Sequence, residues 1–203
     1  MDHKKLTLYT NPRSRGRIAR WMLEEAGATY DTEIIEYGPP MKSPEYLAIN
    51  PMGKVPAIRH GDTVVTECAA ICAYMADAFP DANLAPALSN RGAYYRWLFF
   101  AAGPLESAIT NKALGFEVPE DREVMAGYGS LSRALDAIDS VLGNSPYITG
   151  DTFTAADVYV GSQISWGLQF ETIEKRDSFV NYAARVTDRD AYRRANELDG
   201  SMG

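Results

Sequence analysis

The hydrophobic pattern of this chain changes character once, and that change limits what it can fold into. Up to Phe79, short apolar–polar alternations are interleaved with helical spacings; beyond Leu88 only helical spacings remain. Pro80 to Leu88, with two prolines among small residues, has the composition of a linker. The pattern predicts an α/β unit over residues 1–80 and an all-helical unit over 88–203. A chain of 203 residues is long enough to bury a core in each.

Within the first unit, Leu6-Thr7-Leu8-Tyr9 alternates as a strand and Asn11-Pro12 breaks it. A helix is expected over 12–26, with Ile18, Trp21, Met22 and Ala26 spaced three and four apart and Gly27 closing it. Tyr30 to Ile35 reads as a second strand, and Ser43 to Leu47 as a short helix ended by Asn50-Pro51. Val55 to Arg59 and Thr63 to Thr66 flank Gly61-Asp62 as a hairpin, and a helix follows from Glu67 to Phe79. The order is β-α-β-α-β-β-α. Beyond the linker, helical stretches are expected at about 89–115, 121–143, 154–169 and 173–197.

Charge narrows the partners. Twenty Lys and Arg against 27 Asp and Glu leave a net charge of −7, which predicts no nucleic-acid or membrane partner held by bulk electrostatics. The N-terminal residues lack the apolar run of a secretory signal, and Cys68 to Ala76 is too short to cross a bilayer, which takes roughly 20 residues. Cys68 and Cys72 sit four apart on one expected helix, neither a CxxC redox pair nor half of a zinc site. With only His3 and His60 besides, no metal is expected, and the cytoplasm is the default compartment.

Three places hold residues that suit chemistry. At Val55-Pro56 the proline is either an ordinary trans residue on an edge strand or a cis one, which would turn the Val55 N–H and C=O outward to bind an extended ligand. At Thr66-Glu67-Cys68 a strand gives way to a helix, whose first N–H groups can take an anion while Glu67 meets an ammonium; capping by Thr66 is the plainer role. The first strand–helix junction, Tyr9 to Arg15, offers hydroxyls and N–H groups that favour an anionic sulfur, or simply caps the helix. Arg13, Arg17 and Arg20 share one helical face, expected to be solvated, with Arg20 paired to Glu24. Thr154 and Asp157 form a capping box that starts a buried helix.

Taken together, Leu8-Tyr9 through Glu24-Glu25, Asn50-Pro51-Met52-Gly53-Lys54-Val55-Pro56, Thr66-Glu67-Cys68, Gly150 to Asp157 and Arg189 to Ala195 resemble the cytosolic glutathione transferase family. The resemblance implies a thioredoxin-like N-terminal domain, an all-helical C-terminal domain, a homodimer and a cis Val55-Pro56 peptide. It implies glutathione as co-substrate, with Val55 pairing to its cysteinyl unit. Glu67 and Cys68 would take its γ-glutamyl end, and Lys54 its glycyl carboxylate, with Lys42 and Arg17 as further candidates. Where members carry a catalytic Tyr, Ser or Cys, this chain has Asn11, whose amide can donate to a thiolate; Ser14 and then Thr10 are the neighbouring alternatives. Tyr94, Trp97, Phe100 and Ala101 fall where a pocket for a small hydrophobic electrophile is expected. The function implied is a glutathione-dependent transferase, or a peroxide or disulfide reductase; the rival is a non-catalytic binding or assembly module.

Overall fold

A computed structural model describes residues 5–200, so His3 and the extreme ends of both expected domains lie outside the described residues. The chain divides into two compact units. One runs to Leu84 and takes in the stretch from Arg189 onward; the other is Ala85–Asp188.

The first unit contains β1 (Leu6–Thr10), α1 (Gly16–Glu25), β2 (Asp31–Ile34), α2 (Pro44–Leu47), β3 (Ala57–His60), β4 (Thr63–Thr66) and α3 (Cys68–Ala78). Its four strands run in the order β2-β1-β3-β4, as a thioredoxin-like sheet requires. β1 pairs in parallel with β2 and antiparallel with β3, and β3 pairs antiparallel with β4. Tyr9 lies opposite Ala57, and Ala57 opposite Thr66. The end of β1, the start of β3 and the end of β4 therefore share one end of the sheet. Ile18, Trp21, Met22 and Leu23 of α1 and Ile71, Cys72 and Met75 of α3 are buried, as their three-and-four spacing requires. Tyr9, Tyr46 and Ala57 form a second cluster, covered by Ile35, Ile49 and Val55.

α1 begins later than the apolar spacing suggests. Asn11 Oδ1 accepts the Arg13 N–H at 3.0 Å and Ser14 Oγ accepts the Gly16 N–H at 2.9 Å, so side chains occupy the donors a helix would otherwise use. Pro12 thus lies in a turn rather than in the helix. Gly27 follows α1 at φ +62°, the left-handed conformation expected of the residue that closes a helix.

The second unit contains α4 (Gly92–Phe100), α5 (Glu106–Ala113), α6 (Leu131–Leu142), α7 (Ala155–Gln169) and α8 (Asp177–Thr187). A π-helical turn, Ala101–Leu105, joins α4 to α5 around Pro104, which has no N–H to give an α-helical ladder. The helix expected over 121–143 is shorter, because Gly127 and Gly129 interrupt it and Ser130 caps α6 by accepting the Arg133 N–H at 3.3 Å. The final expected helix is two: α8 ends at Thr187 and α9 (Asp190–Asp199) follows. α9, read from sequence as the end of the helical unit, packs on α1 of the first unit, with Tyr192 edge-on to Trp21 at 4.9 Å.

Asp157 is fully buried and structural, as its capping pattern implies. It accepts the Thr154 and Ile148 N–H groups at 2.9 and 2.8 Å and the hydroxyls of Thr154 and Tyr182 at 3.0 and 2.9 Å. Burial pushes its carboxyl up, against the lowering effect of those donors.

Candidate functional site

The candidate residues of the first unit gather at the end of the sheet where Tyr9, Ala57 and Thr66 are in register. The β1–α1 junction is buried and tightly bonded. Asn11 donates from Nδ2 to the Ile35 carbonyl at 3.2 Å, and its own carbonyl accepts the Ser14 hydroxyl at 2.7 Å. One N–H of the Asn11 amide is thereby engaged, and a primary amide carries two. The one proton of the Ser14 hydroxyl is used, donated to the Asn11 carbonyl, and its oxygen accepts from the Gly16 N–H. Among the described residues Thr10 Oγ1 is buried without a hydrogen-bond partner, and it lies so close to Gly16 that a Cβ there would meet it at 1.9 Å.

The Val55-Pro56 peptide is cis. The loop before it is fixed from several sides. The Lys54 carbonyl accepts both the Tyr46 hydroxyl and Asn50 Nδ2 at 2.7 Å. The Lys42 ammonium donates to the Met52 and Gly53 carbonyls at 3.0 Å each, which makes Lys42 a brace for this loop. Gly53 sits at φ +56°, with the Met41 carbonyl 2.5 Å from where a Cβ would be, so only glycine fits. Among the described residues, the Val55 N–H and C=O take part in no hydrogen bond, while the Asn50, Met52, Gly53 and Lys54 carbonyls before it are all engaged. Lys54 is exposed beside it.

Glu67 is exposed at φ +64° and ψ 119°, a backbone conformation that a non-glycine residue adopts at a cost of order 1–3 kcal/mol. Its carbonyl accepts the Ile71 N–H at 2.8 Å as the first bond of α3, leaving the earlier N–H groups of the helix directed outward. Thr66 does not cap this helix, because the cap position belongs to Glu67 and carries no side-chain bond. The Cys68 thiol donates to the Arg15 carbonyl at 3.4 Å, tying the start of α3 to the start of α1. Cys72 is fully buried, and burial pushes its thiol well above the ordinary range.

Two expectations about arginines are overturned. Arg17 and Arg20 are buried, not solvated. Arg20 pairs with Asp199 at 2.8 Å rather than with Glu24, whose carboxylate instead takes the Tyr30 hydroxyl at 2.7 Å and Arg194 at 3.2 Å. Arg17 donates to the Pro12 carbonyl at 3.2 Å, to Asn196 Oδ1 at 2.8 Å and to the Gly200 carbonyl at 2.9 Å, so it is not available for a glycyl carboxylate. α9 supplies most of these partners, and no local signal in the sequence marks them.

In the second unit, Tyr94, Trp97 and Ala101 are buried, and Phe100 is half-buried with its ring 5.2 Å from that of Trp97. Of the four expected pocket residues, Phe100 therefore offers the most surface. Among the described residues no helix is long and apolar enough to cross a membrane.

Comparison with known proteins bears on the family and the fold. Residues 14–78 match the glutathione S-transferase N-terminal domain. Glutathione S-transferase F10 of Arabidopsis thaliana is 30% identical over 167 residues, which cover 75% of this chain and 76% of that one. A glutathione transferase of Methylococcus capsulatus superposes with a TM-score of 0.80 at 28% identity, over 96% of this chain and 98% of that one. A Phanerochaete chrysosporium glutathione transferase, solved in complex with oxidized glutathione, superposes at 0.78 with 25% identity over 98% of both chains.

Proposed function

Because the chain belongs to the glutathione S-transferase family, we propose that the shared end of its sheet holds glutathione and delivers the thiol to the β1–α1 junction. The protein is a glutathione-dependent transferase. The observation that carries the assignment of residues is the register Tyr9–Ala57–Thr66, which brings three separate sequence signals to one place.

In this reading the Val55 N–H and C=O pair with the cysteinyl unit as a strand would, on a loop already immobilised by Lys42, Tyr46 and Asn50. The outward N–H groups at the start of α3, Cys68 among them, take the γ-glutamyl carboxylate, and Glu67 takes its ammonium. Lys54 pairs with the glycyl carboxylate, and Lys42 supports it from the loop rather than by contact. Asn11 donates its second amide N–H to the sulfur. Ser14 and Thr10 remain the alternatives, though the Ser14 hydroxyl is committed within the turn.

The chemistry follows from the thiol. A free thiol titrates near 8.5, and each unit of lowering corresponds to about 1.4 kcal/mol in favour of thiolate. The thiol proton passes to solvent. The thiolate then forms a carbon–sulfur bond to an electrophilic carbon, which releases its leaving group with the bonding pair or becomes a carbanion that is protonated. Phe100, half-buried against the Trp97 ring, offers a wall for a hydrophobic electrophile, while Tyr94 and Ala101 are buried in the same stretch. Membership of the family supports a homodimer, and the cytoplasm is the compartment this reading assumes.

The test is a pH titration of the ultraviolet thiolate absorbance of glutathione with excess protein. A bound pKa below the free value, moved back by Asn11→Ala with little loss of affinity, supports the reading. An unchanged pKa in Asn11→Ala transfers the role to Ser14 or Thr10. Binding with no shift in the parent protein would favour a module that only holds the tripeptide, and no binding would overturn the site.

A further inference from the structure

α9 is fixed to α1 along its whole length. Arg189 forms a bidentate pair with Glu25 at 2.7 Å, Arg194 meets Glu24, Tyr192 packs edge-on against Trp21, and Asp199 pairs with Arg20. One member of this set does more than join two helices. Arg17 Nη2 donates to Asn196 Oδ1 and to the Gly200 carbonyl, while Nη1 donates to the Pro12 carbonyl in the β1–α1 turn. The guanidinium is buried, and all three of these acceptors are neutral amide oxygens.

Pro12 is the peptide that follows Asn11. It has no N–H, so its own backbone cannot anchor the turn by donation, and its carbonyl is the handle that Arg17 grips. The planar fork of an arginine transmits position because its donors cannot move independently. We propose that Arg17 is a positioning residue for the thiol-activating turn, and that Asn196 and Gly200, at the far end of the chain, set its orientation. α9 is then part of the machinery that aims Asn11, acting through Arg17.

This inference rests on the reading of the β1–α1 junction as the thiol site, and the experiment separates the two. The bound thiol pKa, kcat and the KM for glutathione are measured for the parent protein, Arg17→Gln, Asn196→Ala and Arg189→Gln. Arg17→Gln removes the link. Asn196→Ala leaves the Arg17 charge in place and removes one of the acceptors that orient it. Arg189→Gln weakens the α9 contact at its other end without touching Arg17. We expect Arg17→Gln and Asn196→Ala to raise the bound thiol pKa by about half a unit or more, roughly a threefold change in thiolate to thiol ratio, with kcat falling in step and KM nearly unchanged. Arg189→Gln should lower the unfolding midpoint and leave the thiol pKa and kcat where they are. If Arg17→Gln does not fold, Asn196→Ala decides. A folded Arg17→Gln, or failing that Asn196→Ala, with the parent thiol pKa and kcat overturns the proposal, as does an equal shift in Arg189→Gln. If the parent protein itself shows no shift, the reading of the thiol site fails, and the positioning role fails with it.

Discussion

Removing the carboxylate of Asp199 exposes how much of the first unit depends on the last helix. Asp199 and Arg20 are buried as a pair, with side-chain exposures of 0% and 5%, and their contact spans 179 residues of sequence. Asp199→Ala leaves the guanidinium with the hydroxyls of Tyr30 at 3.3 Å and Thr32 at 3.2 Å as its remaining polar partners given by the structure. Breaking a buried pair by removing one partner costs about 3–5 kcal/mol, because the other charge stays desolvated. The two hydroxyl dipoles that stay beside the guanidinium place this case near the lower limit, at about 3 kcal/mol. The assay is equilibrium urea unfolding followed by far-ultraviolet circular dichroism and by tryptophan fluorescence. Two probes are needed because a chain of two units can unfold in two steps. The counterpart is Arg20→Leu combined with Asp199→Leu, which removes both charges and should recover most of the loss, since an apolar replacement of a buried pair is often neutral or better. A loss below about 1 kcal/mol in Asp199→Ala, or a double variant no more stable than the single one, would refute the reasoning.

Other outcomes follow from the same contacts. A methyl group on Gly16 would lie 1.9 Å from Thr10 Oγ1, so Gly16→Ala should lose about 1–3 kcal/mol by overpacking. Thr10→Ala in the same chain should recover most of it, because that hydroxyl has no hydrogen bond to lose; urea midpoints of the three variants check this. Burial pushes the Cys72 thiol well above its ordinary range, so a thiol reagent near neutral pH should leave it unmodified until the protein unfolds, as peptide mapping would report. The folded carboxyl of Asp157 is raised from its ordinary value of 3.8. Its contribution to stability is thus full below the unfolded value and is lost as pH rises through the folded one. The stability of the parent protein relative to Asp157→Asn should fall across that interval in pH-dependent urea unfolding, and a rise would contradict the assigned direction.

The sequence was most legible where structure is local. The alternation at Leu6–Tyr9, the Gly61-Asp62 hairpin and the Thr154–Asp157 capping pattern each rest on residues a few positions apart, and each formed as read. The residues of the proposed site were picked out in the same way, because Val55-Pro56 and Glu67-Cys68 are short signals at the ends of elements. Errors arose where side chains compete with the backbone or where glycine breaks a period. Asn11 and Ser14 bind the N–H groups ahead of α1 and delay it to Gly16, and Gly127 and Gly129 shorten the helix before α6. In both places an apolar period alone extends the helix too far.

The sequence by itself therefore determined the α/β character of the first stretch, the helical character of the second and the order of strands and helices along the chain. Those depend on periodicity and on the conformational limits of proline, glycine and capping residues, which act over one or two turns of chain. Only the tertiary structure decided that Arg17 and Arg20 are buried, that Lys42 braces a loop, and that α9 returns to α1. An arginine at helical spacing looks the same in sequence whether it meets water or a carboxylate 179 residues away. What separates the two is which surfaces the folded chain brings together, because burial leaves a charge stable only where a partner has been placed beside it.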